Sequence, residues 1–200
     1  MNEQGKTAMR LRNKTILFLG SSVTYGSAAN GVSFADIIRD TCGANCIKEA
    51  VSGTTLADVN EKSYVSRLKA VRKDLRPDLF VCQLSTNDAK RKLPLDDVEA
   101  AIRFILEYAE TNLSCPTVFY TGTFFESAEY AEMIGLLYKL KAEYDFCILD
   151  LYHDEEMSRI GAEDYKKYMK DPIHPTLLGY TEWWTPRFID FLERVLAGTV

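Results

Sequence analysis

Five short apolar runs alternate with longer stretches of helical periodicity along the chain. Thr15–Gly20, Cys46–Gly53, Leu79–Ser85, Thr117–Thr123 and Phe146–Leu151 read as strands. Three of these runs are apolar nearly throughout, the pattern of a strand covered on both faces. Between them, Phe34, Ile37 and Ile38 fall on one helical face. Ser33 stands at its N-cap position, Asp36 at the capping-box position and Gly43 beyond its end. Val98, Ile102, Ile105, Leu106 and Ala109 keep the same spacing after Pro94, and Met133, Leu137 and Leu140 do so in the next helix. Pro186 opens a final helix with a core face of Phe188, Phe191, Leu192 and Val195. The segment Leu56–Asp74 is less periodic and also reads as helix. Strands alternating with helices imply a parallel sheet with helices on both faces. The expected fold is therefore a three-layer α/β/α sandwich on a five-stranded, flavodoxin-like sheet, a single domain over residues 1–200 with a peripheral N-terminal segment over 1–14.

Composition narrows the function classes. The 200 residues carry 24 basic and 29 acidic side chains, a formal charge of −5, which argues against a general nucleic-acid or anionic-membrane partner. No stretch approaches the roughly 20 apolar residues that span a bilayer, and the polar start "MNEQGKTAMRLRNK" lacks a signal-peptide core, so a cytoplasmic location is expected. Five cysteines include a C-x3-C pair, Cys42 and Cys46, which no second pair or nearby histidine completes as a zinc site. Reduced thiols and no metal or cofactor are the expectation.

The ends of parallel strands emerge on one sheet edge, where ligands bind. The first predicted strand ends in Gly20-Ser21-Ser22, the second in Ser52-Gly53-Thr54 and the third in Ser85-Thr86-Asn87-Asp88. Near the C-terminus "DPIHP", Asp171 to Pro175, places a histidine three residues after an aspartate in a proline-bounded turn. Serine, histidine and carboxylate, with glycine and amide donors, are what hydrolytic acyl transfer requires. The loop "SSVTYGS" also offers hydroxyls and glycines to a phosphate, so a flavodoxin-like phosphate or flavin binder is an alternative reading of the sheet. No Gly-Lys-Ser/Thr follows at P-loop spacing, and a flavin protein has no use for "DPIH". A catalytically silent ligand-binding protein is a third alternative.

Four segments resemble, in order, the four blocks of the SGNH hydrolase superfamily, the GDSL esterases and lipases: "GSSVTYG", "AVSGTT", "STND" and "DPIHPTLLGY". The resemblance runs from about Thr15 to the C-terminal helix. It implies Ser22 as nucleophile, His174 as base and Asp171 as its orienting carboxylate. It further implies an oxyanion hole made of the Ser22 and Gly53 N–H groups and the Asn87 amide. The implied activity is a cofactor-free serine esterase acting on a small-molecule acyl ester, with a short acyl group, such as O-acetyl on a saccharide, favoured by the lack of a long apolar lid segment. Lysophospholipase or thioesterase activity is the alternative within the superfamily. Two positions depart from the family pattern: Ser21 stands where aspartate is frequent, and Ser85 where glycine is frequent, which predicts a narrower pocket. Asp88 reads as a loop support. His153 and the cluster Lys90, Arg91 and Lys92 read as solvated loop residues. At least one of Trp183 and Trp184 reads as core, and Phe124 and Phe125 as either pocket or core.

Overall fold

The computed structural model describes residues 10–158 and 160–200. The sheet is five-stranded and wholly parallel in the order β2-β1-β3-β4-β5, with β1 Thr15–Gly20, β2 Asn45–Ala50, β3 Leu79–Gln83, β4 Thr117–Tyr120 and β5 Cys147–Leu149. Register pairs Gly20 with Ala50, Leu19 with Cys82 and Gln83 with Tyr120, so the strands end at one edge. The predicted α/β/α architecture and flavodoxin-like strand order are observed.

Alternation along the strands divides the core in two, because successive side chains point to opposite faces. Leu17, Leu19, Phe80, Cys82 and Phe119 face one helical layer, which supplies Tyr64 and Leu68 from α3 (Tyr64–Ala70), Val98, Ile102 and Ile105 from α5 (Leu95–Tyr108) and Met133, Leu137 and Leu140 from α6 (Ala128–Lys141). Ile16, Phe18, Val81, Val118 and Tyr120 face the other, which supplies Phe34 and Ile38 from α2 (Phe34–Cys42) and Phe188 and Leu192 from α9 (Thr185–Ala197). Phe34 stacks on Phe188 with ring centroids 3.9 Å apart, and the buried Trp184 lies parallel to both. Trp184 is thus core, whereas the half-buried Trp183 stacks on Tyr168 of α8 (Ala162–Tyr168).

Local signals placed most elements. The Ser33–Asp36 capping box is formed and Gly43 closes α2 in the left-handed conformation. The reading of Leu56–Asp74 as one helix is corrected: only Tyr64–Ala70 is helical. The backbone N–H groups of Leu56 and Ala57 are taken by the buried Asp88 carboxylate, 2.8 Å each, so residues 56–63 run as a loop until Ser63 caps α3 through Ser66 N–H. Of the N-terminal segment expected over 1–14, residues 1–9 lie outside the described residues. Leu11 is buried, and its N–H donates to Glu193 at 2.9 Å. The cysteines are unpaired thiols, and burial pushes Cys46 up to about 12.

The exit of β1 is tightly built. A Cβ on Gly20 would sit 1.7 Å from Thr24 Oγ1 and 2.8 Å from Gln83 Oε1, inside a hydrogen-bonded cluster. Gly20→Ala is therefore expected to cost about 3 kcal/mol or more. A drop in the urea midpoint at unchanged m-value would register it; wild-type stability would show that the cluster can move aside.

Candidate active site

Ser22 opens the one-turn helix α1 (Ser22–Tyr25) immediately after β1. The turn is fixed from behind. Tyr120 hydroxyl and Thr24 Oγ1 are 2.6 Å apart, Thr24 Oγ1 donates to Gln83 Oε1 at 2.8 Å, and the same oxygen accepts Ser21 N–H at 2.9 Å. Since Thr24 spends its one proton on Gln83, Tyr120 donates to Thr24. Tyr180 hydroxyl donates to Val23 O at 2.7 Å from the C-terminal side. Such a buried, satisfied chain holds one geometry because each alternative strands a polar group in a dry interior.

The loop holding His174 is closed on itself. Lys170 N–H donates to His174 O and Thr176 N–H to Tyr168 O, each at 2.8 Å, and Met169 bridges to Pro175 in antiparallel fashion. Within it Asp171 Oδ1 accepts the N–H groups of Ile173 and His174, both at 2.8 Å, while His174 Nδ1 lies 2.8 Å from Oδ2 and 3.0 Å from Oδ1. Burial pushes the Asp171 carboxyl up, but the Ile173 N–H, the imidazole and the His174 N–H outweigh it and hold it below its ordinary value. A carboxylate only accepts, so Nδ1 carries the proton and Nε2 of the neutral ring is an acceptor. Ser22 Oγ stands 2.8 Å from that Nε2 and therefore donates to it. Ser22, His174 and Asp171 are thus brought together in one continuous hydrogen-bonded line.

Gly53 and Asn87 meet through the loop between them. Asn87 Nδ2 donates to Thr54 O at 2.8 Å, which leaves its second N–H for another acceptor. Gly53 has φ +77°, a left-handed conformation that favours glycine, although nothing lies within 4 Å of where a Cβ would be. Backbone direction, not crowding, is the requirement there. Ser85, in place of the frequent glycine, is buried and caps α4 (Thr86–Lys90) by accepting Asn87 N–H at 3.2 Å. Asp88 supports the loop: burial pushes its carboxyl up against the pull of its donors, with the Leu56 and Ala57 N–H groups on its two oxygens.

Two supporting residues escaped the reading of the sequence. Gln83 could have been found as the polar residue inside the otherwise apolar stretch Leu79–Leu84. Arg67 had no such signal. Its side chain is 9% exposed, and its five N–H groups meet five acceptors: Lys62 O, Glu49 O, Glu49 Oε1, Gly20 O and Thr54 Oγ1, at 2.8–3.3 Å. One guanidinium thereby ties the exits of β1 and β2 to the loop after Gly53. Lysine has three donors and no planar fork, so Arg67→Lys is expected to cost about 2–3 kcal/mol by stranding buried carbonyls. At about 2–4 °C per kcal/mol for a chain of this size, the melting temperature falls by about 4–12 °C. An unchanged thermal melt would show that the clamp is dispensable.

Of the remaining candidates, among the described residues, only Arg91 is bonded to a residue of the site. His153 is exposed, with Nδ1 2.7 Å from Asp150 Oδ2. Lys92 pairs with Glu129 at 3.1 Å, and Arg91 turns back to donate to Gly53 O at 2.7 Å. Phe124 is 54% exposed, and Phe125 is partly buried against Tyr130. Among the described residues no cluster of three or more His, Cys, Asp or Glu could hold a metal, and no helix is long and apolar enough to cross a membrane.

A parallel sheet that brings a Ser–His–Asp line to its C-terminal edge has the arrangement that acyl transfer from an ester requires. The sequence profile of the GDSL-like lipase/acylhydrolase family matches residues 18–181, and the chain belongs to that family of ester-hydrolysing enzymes. No curated protein matches it. Among solved structures, the fold is similar to that of a protein from Lactobacillus plantarum, with 20% identity and a TM-score of 0.77 over 94% of this chain and 99% of that one. A member of the lipolytic G-D-S-L family from Veillonella parvula matches at 14% identity and TM-score 0.67 over 90% and 96% of the two chains. A mutant of an acetyl-xylooligosaccharide esterase from a Geobacillus matches at 15% identity and TM-score 0.69 over 90% and 95%.

Proposed function

We propose that the protein is a serine esterase that removes a short acyl group, of the acetyl type, from an alcohol such as a saccharide hydroxyl. The observation that carries this reading is the 2.8 Å contact between Ser22 Oγ and His174 Nε2, with Nδ1 already committed to Asp171. Ser22 Oγ attacks the ester carbonyl and its proton passes to Nε2. The Oγ–C bond forms, the C–O bond to the alcohol breaks, and Nε2 returns the proton to the leaving oxygen. Water then repeats the sequence on the acyl-enzyme, with His174 again the base. The developing oxyanion is held by the N–H groups of Ser22 and Gly53 and by the free N–H of Asn87, each donor worth about 100- to 1000-fold in rate. Membership of an acylhydrolase family supports the reaction class, and likeness in fold to an acetyl-xylooligosaccharide esterase supports a short acyl group.

A fluorophosphonate probe with hydrolysis of p-nitrophenyl acetate, butyrate and octanoate tests both parts. A single adduct on the Ser22 peptide, and rates falling with chain length, are expected. An adduct elsewhere rejects the nucleophile, and a preference for octanoate rejects the short acyl group.

A further inference from the structure

Gly53 also forms part of the wall of an open groove of about 410 Å³, together with Ser52, Asn60, Glu61, Lys62 and Arg91. Neither Arg91 nor Lys62 has a carboxylate within salt-bridge distance among the described residues, a condition they share with Lys73, Arg76 and Lys90, so what sets Arg91 apart is its bond to Gly53 O. Glu61 is the acidic member of the wall. Arg67 uses all five of its N–H groups on protein acceptors, while Arg91 spends one, on Gly53 O at 2.7 Å. That single bond anchors the guanidinium at the lip of the groove and leaves a pre-oriented fork of donors. Such a fork matches the two oxygens of a carboxylate or the edge of a phosphate.

We infer that this groove receives the alcohol portion of the substrate and selects one bearing an anionic oxygen group, which Arg91 holds and Lys62 attracts. The inference rests on the Ser22 esterase reading. Because Gly53 both lines the groove and is a proposed oxyanion donor, the groove adjoins the reacting carbonyl, and a short acyl group leaves the alcohol portion to occupy it. An acidic sugar or a phosphorylated alcohol would supply the same charged oxygens.

The test compares esters that share the acetyl group and differ in charge: para-acetoxybenzoate, the near-isosteric para-acetoxybenzamide, and para-acetoxyphenyl phosphate. Each is measured with wild type, Ser22→Ala, Arg91→Met, Arg91→Lys and Lys62→Met. Wild-type kcat/KM is expected to favour an anionic ester over the amide by about tenfold, the worth of one charge-assisted hydrogen bond in a partly exposed site. The two anions separate carboxylate from phosphate recognition. Arg91→Met is expected to bring the ratio near unity, Arg91→Lys to restore part of it, and Lys62→Met to lower it mainly at low salt. Taking ratios within each enzyme cancels any general loss that follows from disturbing Gly53. Raising salt from about 0.01 to about 1 M, which shortens the screening length from about 30 to about 3 Å, is expected to shrink the wild-type preference. Equal rates on acid and amide, both abolished in Ser22→Ala, overturn the anion site and leave the esterase standing. A preference that persists in both Arg91→Met and Lys62→Met places recognition elsewhere and also overturns it. No turnover of any ester overturns the esterase reading, and the groove's role with it.

Discussion

Ser22→Ala is expected to lower hydrolysis of p-nitrophenyl acetate by about a millionfold, the scale on which a triad nucleophile acts. Stability should barely move. Ser22 is nearly buried, but its hydroxyl serves His174 rather than the backbone that shapes the turn. The turn is held by Gln83, Thr24, Tyr120 and Tyr180, all of which the variant keeps. Alanine at 22 also keeps its own N–H, so the donors proposed for the oxyanion remain in place. Normal thermal stability with turnover at the level of the buffer is the expected pair of results. Turnover within tenfold of wild type would remove Ser22 from the mechanism.

Asp171→Asn should be the next most severe change, about ten-thousandfold in kcat, by analogy with the same exchange in a serine protease triad. The loss comes from the proton, not from the position. Asparagine can still accept the Ile173 and His174 N–H groups through its one oxygen, so the loop survives. Its NH2 then faces Nδ1, which must become the acceptor, and the ring proton moves to Nε2. A protonated Nε2 in a neutral ring cannot take a proton from Ser22. Because Asp171 is held below the ordinary carboxylate value of 3.8, it is ionised across the neutral range. Its lowered value means that the stability it lends is present above the unfolded-state pKa and drains as the pH falls through the folded one. Loss of activity near neutral pH must therefore come from another group. Equal kcat in Asp171→Asn and wild type would sever Asp171 from the base.

The parts of this architecture legible in the sequence were those whose cause is local. Apolar runs marked β1, β3 and β4 because both faces are covered. Ser33 and Asp36 announced α2 within four residues, and "DPIH" closes its Asp171–His174 bond three positions apart. What the sequence hid is carried by partners far along the chain. Asp88 takes the Leu56 N–H from 32 positions away, so the segment that reads as helix becomes loop. Gln83 reaches Ser21 across 62 positions and Arg67 reaches Gly20 across 47. Arg91 sits in a charged cluster that reads as solvated, yet returns to Gly53 across 38. No spacing rule relates such residues; only the sheet order makes them neighbours.

Ser22 and His174 are separated by 152 positions, with every other strand of the sheet between them in sequence. Loop-closure entropy makes so long-range a contact one of the last that a folding chain can form. In refolding from denaturant, helical ellipticity should therefore return before esterase activity does. The hydroxyl–imidazole contact reports that the chain has closed from its first strand to the loop before its last helix.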